Sequence, residues 1–244
     1  MKHFLIDKNY GAYLSAMGFS VEEVLKKAVL PEDLFARHSP SLTAEEYFRF
    51  MQAVDTLSPD DETPIKLAAS DNIEAFSPPS FAAYCSRNAL TCLKRLAQYK
   101  PLIGALLYRV EETENEVSVE VMSGSTELEL PEILVGIEFA FVVGLIRKTT
   151  KEQIVPLRAT TKQKMHNTAY AAFIGTDIVT ADQNQLTFSK TDALIPFISC
   201  NESMWSFFEP ELNRRLSMMD TERFLCRPRP QCLDGAAVQR GVHH

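Results

Sequence analysis

The sequence predicts an α+β protein, with an amino-terminal helical part followed by an antiparallel sheet and covering helices. Two observations lead to this fold class. Hydrophobic residues recur with the 3.6-residue period of helices as far as Pro101, and beyond it they alternate with the two-residue period of strands. The chain also has no strand–helix alternation opening on a glycine-rich phosphate loop, which argues against a dinucleotide-binding fold.

The amino-terminal helices are predicted from their capping residues. Ser20–Glu23 and Thr43–Glu46 both have the pattern of a capping box, in which a hydroxyl group and a glutamate satisfy backbone N–H groups. Ser80 and Asn88 predict the N-caps of two further helices, the second ending at Pro101. The helix after Thr43 carries an apolar stripe at helical spacing, formed by Tyr47, Phe50, Met51, Val54 and Leu57.

The second part begins with a predicted hairpin. Residues 106–111 and 116–121 are the two strands, and the second alternates valine with polar residues. Pro131 is expected at the first position of an apolar helix over residues 133–146. The remaining expected elements are strands at 153–159, 177–179 and 185–188 and helices at 168–173 and 204–216.

Composition excludes several classes of protein. The net charge of −7 disfavours direct binding to nucleic acid, because an acidic surface repels phosphates. The longest apolar segment, 133–146, is shorter than the roughly 20 residues that a membrane helix needs. The five cysteines are odd in number and follow no metal-binding spacing, so we expect reduced thiols in a cytoplasmic protein without a membrane partner.

No catalytic or metal-binding pattern stands out. His38 and His166 lie in polar loop segments without a cysteine or carboxylate at ligand spacing. Neither of the serine nucleophile motifs GxSxG and SxxK occurs, and Cys85 and Cys92 are typical of small buried hydrophobic residues. The sequence therefore predicts no catalytic residue, no metal and no cofactor.

Glu138 is the one charged residue within the apolar helix. Its carboxylate either lies at an exposed edge, pairs with a cation such as Arg109 or Arg158, or contacts a ligand. A small-molecule pocket needs an apolar wall with a few polar groups. The candidate ligand-binding residues that combine these properties are Phe81, Tyr84, Tyr99, Tyr108, Glu138 and Phe139.

Three stretches, taken in order, resemble the amino-terminal, arabinose-binding-type sensor domain of AraC-type bacterial transcription regulators. The first is residues 30–34 with 41–47, and the second is 88–102 (NALTCLKRLAQYKPL). The third is residues 169–175 (AYAAFIG), 184–188 (NQLTF) and 192–196 (DALIP). Many family members have a histidine where this chain has Thr160-Thr161.

The resemblance implies a non-enzymatic effector-binding domain over residues 1–218, helical at 10–103 and α+β at 104–218. Residues 219–244 then form an irregular tail without the family's helix-turn-helix domain. The implied partner is an unidentified small-molecule effector, and DNA is contacted only through a domain that this chain lacks. A homodimer, a stand-alone dimerisation or small-molecule-binding module, and an enzyme with dispersed residues remain as alternatives.

Overall fold

The computed structural model describes residues 3–6, 9–69 and 78–225, with side chains as far as residue 219. The helical part holds α1 (Tyr10–Ala16), α2 (Val21–Lys27), α3 (Ala44–Leu57), α4 (Thr63–Ala68), α5 (Pro78–Tyr84) and α6 (Ala89–Tyr99). Its short strands β1 (His3–Leu5) and β2 (Ser41–Thr43) form an antiparallel pair. The described residues of this part also form 3-10 turns at Leu34–Ala36 and Lys100–Leu102.

The second part is a five-stranded sheet with helices. Its elements are β3 (Leu106–Glu112), β4 (Glu116–Ser123), α7 (Glu132–Thr150), β5 (Arg158–Thr161), α8 (Ala169–Ile174), β6 (Ile178–Thr180), β7 (Gln185–Ser189), α9 (Lys190–Ala193) and α10 (Glu202–Leu225). The strand order is β3-β4-β7-β5-β6. The α+β fold class is confirmed, and the sheet has one parallel pair, β5–β6. That pair is parallel because α8 lies in the crossover between its strands.

The hydrophobic core runs without a break from the helical part to the sheet. Helix α7 is buried on most of its circumference, and it packs against α3, α4 and α8. A smaller cluster lies beneath α10, where Trp205 and Leu212 meet Ala82 of α5 and Tyr99 of α6. The long apolar helix therefore connects the two parts, while α10 covers the outer side of α5 and α6.

Several helix starts follow the sequence prediction and others depart from it. The Thr43 capping box and the Asn88 cap are confirmed. At Ser20 the hydroxyl group accepts the N–H of Glu23, whereas the return bond from that glutamate does not form within the described residues. Ser80 lies inside α5, which begins at Pro78, and Pro131 is the N-cap of α7.

The remaining differences lie near proline or at the carboxyl end. The strand predicted at 153–159 begins at Arg158, because Pro156 has no N–H to donate to a neighbouring strand. The predicted helix 204–216 is longer and spans Glu202–Leu225, so residues 219–225 of the expected irregular tail are helical. Of the expected irregular tail, residues 226–244 lie outside the described residues.

Replacement of the α3 cap is expected to destabilise the fold. Thr43→Ala removes the acceptor of the Glu46 N–H, a bond of 3.2 Å, and should lower the free energy of unfolding by about 1 kcal/mol. Urea unfolding measures this effect. Thr56→Ala is the matched control, since Thr56 is exposed on the same helix and, among the described residues, its hydroxyl group donates to Gln52 O. An equal loss in both variants would contradict the capping role.

The same cap predicts a pH dependence. The Thr43 backbone N–H bond holds the pKa of the Glu46 carboxyl below its usual range. A carboxyl with a depressed pKa stabilises the fold above its unfolded pKa, and the effect is lost as pH falls through the folded pKa. The difference in unfolding free energy between wild type and Glu46→Gln should therefore shrink as the solution is acidified.

Candidate functional site

A cavity lies between the amino-terminal helices and α7. Its empty volume, counted out to its opening and therefore including open solvent, is about 860 Å³. The wall is formed by Tyr10, Tyr13, Tyr47, Met51, Leu67, Ala68, Ser80, Lys100, Ile103, Gly104, Leu106, Leu134, Ile137, Glu138 and Phe141. Most of these side chains are aromatic or aliphatic, and two opposite charges lie among them.

The two charges form a buried ion pair. Lys100 Nζ lies 2.5 Å from Glu138 Oε2, and the two side chains are only 5% and 7% exposed. The Tyr108 hydroxyl group donates a hydrogen bond to the same carboxylate oxygen. The Lys100 ammonium also lies 4.9 Å from the Tyr108 ring centroid and 5.2 Å from that of Phe141. Electrostatic attraction to the ring faces adds to the ion pair.

Local sequence explains how a lysine comes to be buried here. Helix α6 ends at Tyr99, and the Lys-Pro sequence that follows turns the chain into a 3-10 turn. The turn is closed by a 2.9 Å bond from Ile103 N to Lys100 O. Proline cannot continue the helical hydrogen bonding of α6. The chain therefore changes direction at Lys100, whose side chain points to α7 rather than to solvent.

Three tyrosines near the pair are uncharged hydrogen-bonding groups. Burial, reinforced by the negative charge of Glu138, raises the pKa of Tyr10, Tyr47 and Tyr108 above the usual range of a phenol. All three hydroxyl groups therefore keep their protons near neutral pH. The cavity wall accordingly holds the neutral phenols of Tyr10 and Tyr47 beside one ammonium and one carboxylate.

Gly104 allows one of these tyrosines to approach the backbone closely. A Cβ atom at this position would lie 2.8 Å from Tyr47 Cζ and 2.9 Å from its hydroxyl oxygen. Both residues line the cavity. A methyl group at position 104 would thus displace the Tyr47 ring, and any side chain there would compete with it for space.

The structure joins two of the six predicted ligand-binding residues. Glu138 lines the cavity, and Tyr108 bonds to it. The ion-pair partner of Glu138 is Lys100 and neither of the arginines predicted for this role. Arg109 lies 2.5 Å from Glu120 and Arg158 lies 2.6 Å from Glu116, because both arginines project from strands toward carboxylates on neighbouring sheet positions. Lys100 could not be predicted from the sequence, since a lysine after a helix end is normally exposed.

The other four predicted residues lie elsewhere. Phe139 is fully buried in the core. Tyr84 is half-buried, with Lys148 Nζ 5.7 Å from its ring centroid. Phe81 packs against Phe208 at a centroid distance of 5.3 Å, and the Tyr99 hydroxyl group donates to Asn213 Oδ1 at 2.7 Å. Phe81 and Tyr99 therefore contact α10 instead of lining the cavity.

The described residues contain no group of three histidine, cysteine or acidic side chains arranged to hold a metal ion. Cys85 and Cys92 are buried, and burial raises the pKa of the Cys92 thiol to about 12. Within the described residues, none of the helices combines the length and the apolar character needed to cross a membrane.

Comparison with known proteins identifies the domain. The family described as the arabinose-binding domain of AraC transcription regulator, N-term, matches residues 18–197. The chain belongs to this family. Among solved structures, the AraC-type domain is similar to the transcriptional regulator CdpR from Pseudomonas aeruginosa, with a TM-score of 0.56 and 9% identity over 92% of this chain and 72% of that chain. At this identity the likeness shows the fold alone. None of the curated proteins compared matches the chain.

Loss of one partner of the buried pair should be costly in this AraC-type domain. Lys100→Met leaves Glu138 without its cation and is expected to lower the free energy of unfolding by about 3–5 kcal/mol. Replacing both charges, as in Lys100→Met with Glu138→Leu, should restore much of that loss. Urea unfolding of the single and double variants gives the coupling energy.

Lys94→Met is the matched control for this experiment. Lys94 Nζ lies 2.7 Å from Glu112, but this pair is exposed to solvent, so its loss should cost no more than about 1 kcal/mol. Equal losses from Lys94→Met and Lys100→Met would contradict the structural importance of the buried pair.

Proposed function

We propose that this chain is the ligand-sensing part of an AraC-type transcription regulator and that it has no catalytic activity. A small-molecule effector binds in the cavity beside Lys100 and Glu138. Binding then changes the position of α10, which passes the change to a DNA-binding domain outside these 244 residues. Family membership supports the regulatory role, and the buried ion pair in a mainly apolar cavity is the observation that carries the choice of site.

The chemistry of the wall favours one kind of effector. An ammonium group donates three hydrogen bonds, and among the described residues Glu138 is the carboxylate that accepts from Lys100. The remaining N–H groups of Lys100 can donate to a carboxylate, carbonyl or hydroxyl group of a ligand. The aliphatic and aromatic walls suit an apolar body. The expected effector is therefore a small organic molecule with one polar end.

The contacts of α10 support a route by which effector binding in the cavity is transmitted to this helix. Lys100 and Ser80 line the cavity. Tyr99, which precedes Lys100, and Phe81, which follows Ser80, both contact α10. Tyr99 bonds to Asn213, and Phe81 packs against Phe208. An effector that moves Lys100 or α5 would thus change the packing of α10. Because the two arrangements of α10 would then differ in their affinity for the effector, the cavity and α10 would be coupled.

Trp205 provides a direct readout of that coupling, since it is the one tryptophan in the chain. Its ring lies 5.9 Å from the Tyr99 ring and 3.8 Å from the Arg95 guanidinium carbon, and 8% of the residue is exposed. We predict that a compound found by thermal shift, from a panel of organic acids, amides, alcohols and sugars including arabinose, will also change Trp205 fluorescence.

Two variants separate effector binding from general stability. Gly104→Ala moves the Tyr47 ring toward the cavity and is expected to weaken binding about tenfold, equivalent to about 1.4 kcal/mol, whereas Lys94→Met should leave it unchanged. Isothermal titration calorimetry measures both. A compound that binds Gly104→Ala and wild type equally, or that stabilises the domain without altering Trp205 fluorescence, would contradict the proposed site or the proposed coupling, respectively.

A further inference from the structure

A second cleft, lined mainly by polar residues, lies at the carboxyl end of α3. Asp55 of α3, Asp61, Glu132 at the start of α7, and His166, Asn167 and Tyr170 near α8 surround it together with Ile133. Its empty volume, counted out to its opening, is about 560 Å³. The cleft shares no lining residue with the Lys100–Glu138 cavity.

The floor of the cleft holds an unsatisfied hydroxyl group. Tyr170 is 1% exposed, and within the described residues its buried hydroxyl oxygen has no hydrogen-bond partner. The ring is held in place by close packing against Gly136, which leaves no room for a Cβ atom. A buried polar group without a partner is unfavourable, so native structures that keep one commonly satisfy it with a bound molecule.

The charges around this hydroxyl group are unbalanced. Glu132 is already engaged, because it accepts bonds from the N–H groups of His166 and Asn167 and lies 2.8 Å from His166 Nδ1. For Asp55 and Asp61, no lysine or arginine of the described residues forms an ion pair with the carboxylate. Burial and the negative charges of Glu132 and Asp61 raise the pKa of Asp55, as expected where like charges gather without a cation.

We propose that this cleft binds the ammonium group of a small organic amine. The ammonium would donate one hydrogen bond to the Tyr170 hydroxyl oxygen and others to the carboxylates of Asp55 and Asp61. One cation with several N–H donors thus gives the buried hydroxyl oxygen a partner and offsets part of the negative charge of the two carboxylates. The described residues offer no cluster with the geometry of a metal site, which favours an organic cation over a bare metal ion.

Titration of the purified chain with 1,4-diaminobutane and with butylamine, followed by calorimetry, tests the proposal. Wild type should bind both amines, and magnesium chloride at equal ionic strength should bind more weakly. Tyr170→Phe removes the hydroxyl group, and Asp61→Asn removes an exposed carboxylate at the rim. Each variant should weaken amine binding by about tenfold, while thermal unfolding shows that both remain folded.

Asp182→Asn is the matched control, since it removes an exposed carboxylate outside the cleft. It should leave amine binding unchanged. The proposal is overturned if wild type binds neither amine, if magnesium binds as tightly as the amines, or if Asp182→Asn weakens binding as much as Asp61→Asn. Should Tyr170→Phe unfold, the comparison of Asp61→Asn with Asp182→Asn decides the question by itself.

Discussion

The buried pair of Lys100 and Glu138 is the constraint on which the arrangement around the cavity depends. Either charge alone would be strongly unfavourable inside a protein, so the turn after α6 and the middle of α7 must remain together. Tyr108 adds β3 to the same contact through its bond to Glu138. One polar cluster thus fixes the meeting point of the helical part, the sheet and the long apolar helix.

This meeting point also explains why the cavity and α10 are close neighbours. The segment from α6 to the 3-10 turn has two sides that face different surroundings. Lys100 contacts the cavity and α7, whereas the adjacent Tyr99 packs under α10 with Trp205. Similarly, Ser80 of α5 lines the cavity, whereas the adjacent Phe81 packs against Phe208 of α10. Two short segments therefore separate the proposed effector from the helix that would carry its signal.

The sequence predicted the elements better than it predicted the site. Periodicity and capping residues give the order of helices and strands, because these features depend on neighbours along the chain. Glu138 was recognisable as a lone charge in an apolar helix. Its partner Lys100 was not, because Tyr-Lys-Pro at a helix end looks solvent-exposed until the turn is seen against α7. Tyr99 and Phe81 are candidates in the sequence because they combine aromatic surface with nearby polar groups, a property that cannot show that α10 covers them.

Hydrogen–deuterium exchange can show directly whether the cavity and α10 are coupled. It should be carried out with and without a compound that stabilises the domain. We expect slower amide exchange in the 3-10 turn Lys100–Leu102 and the middle of α7, together with a changed rate in α10. Protection confined to other elements, with α10 unaltered, would contradict a sensor whose cavity is coupled to that helix.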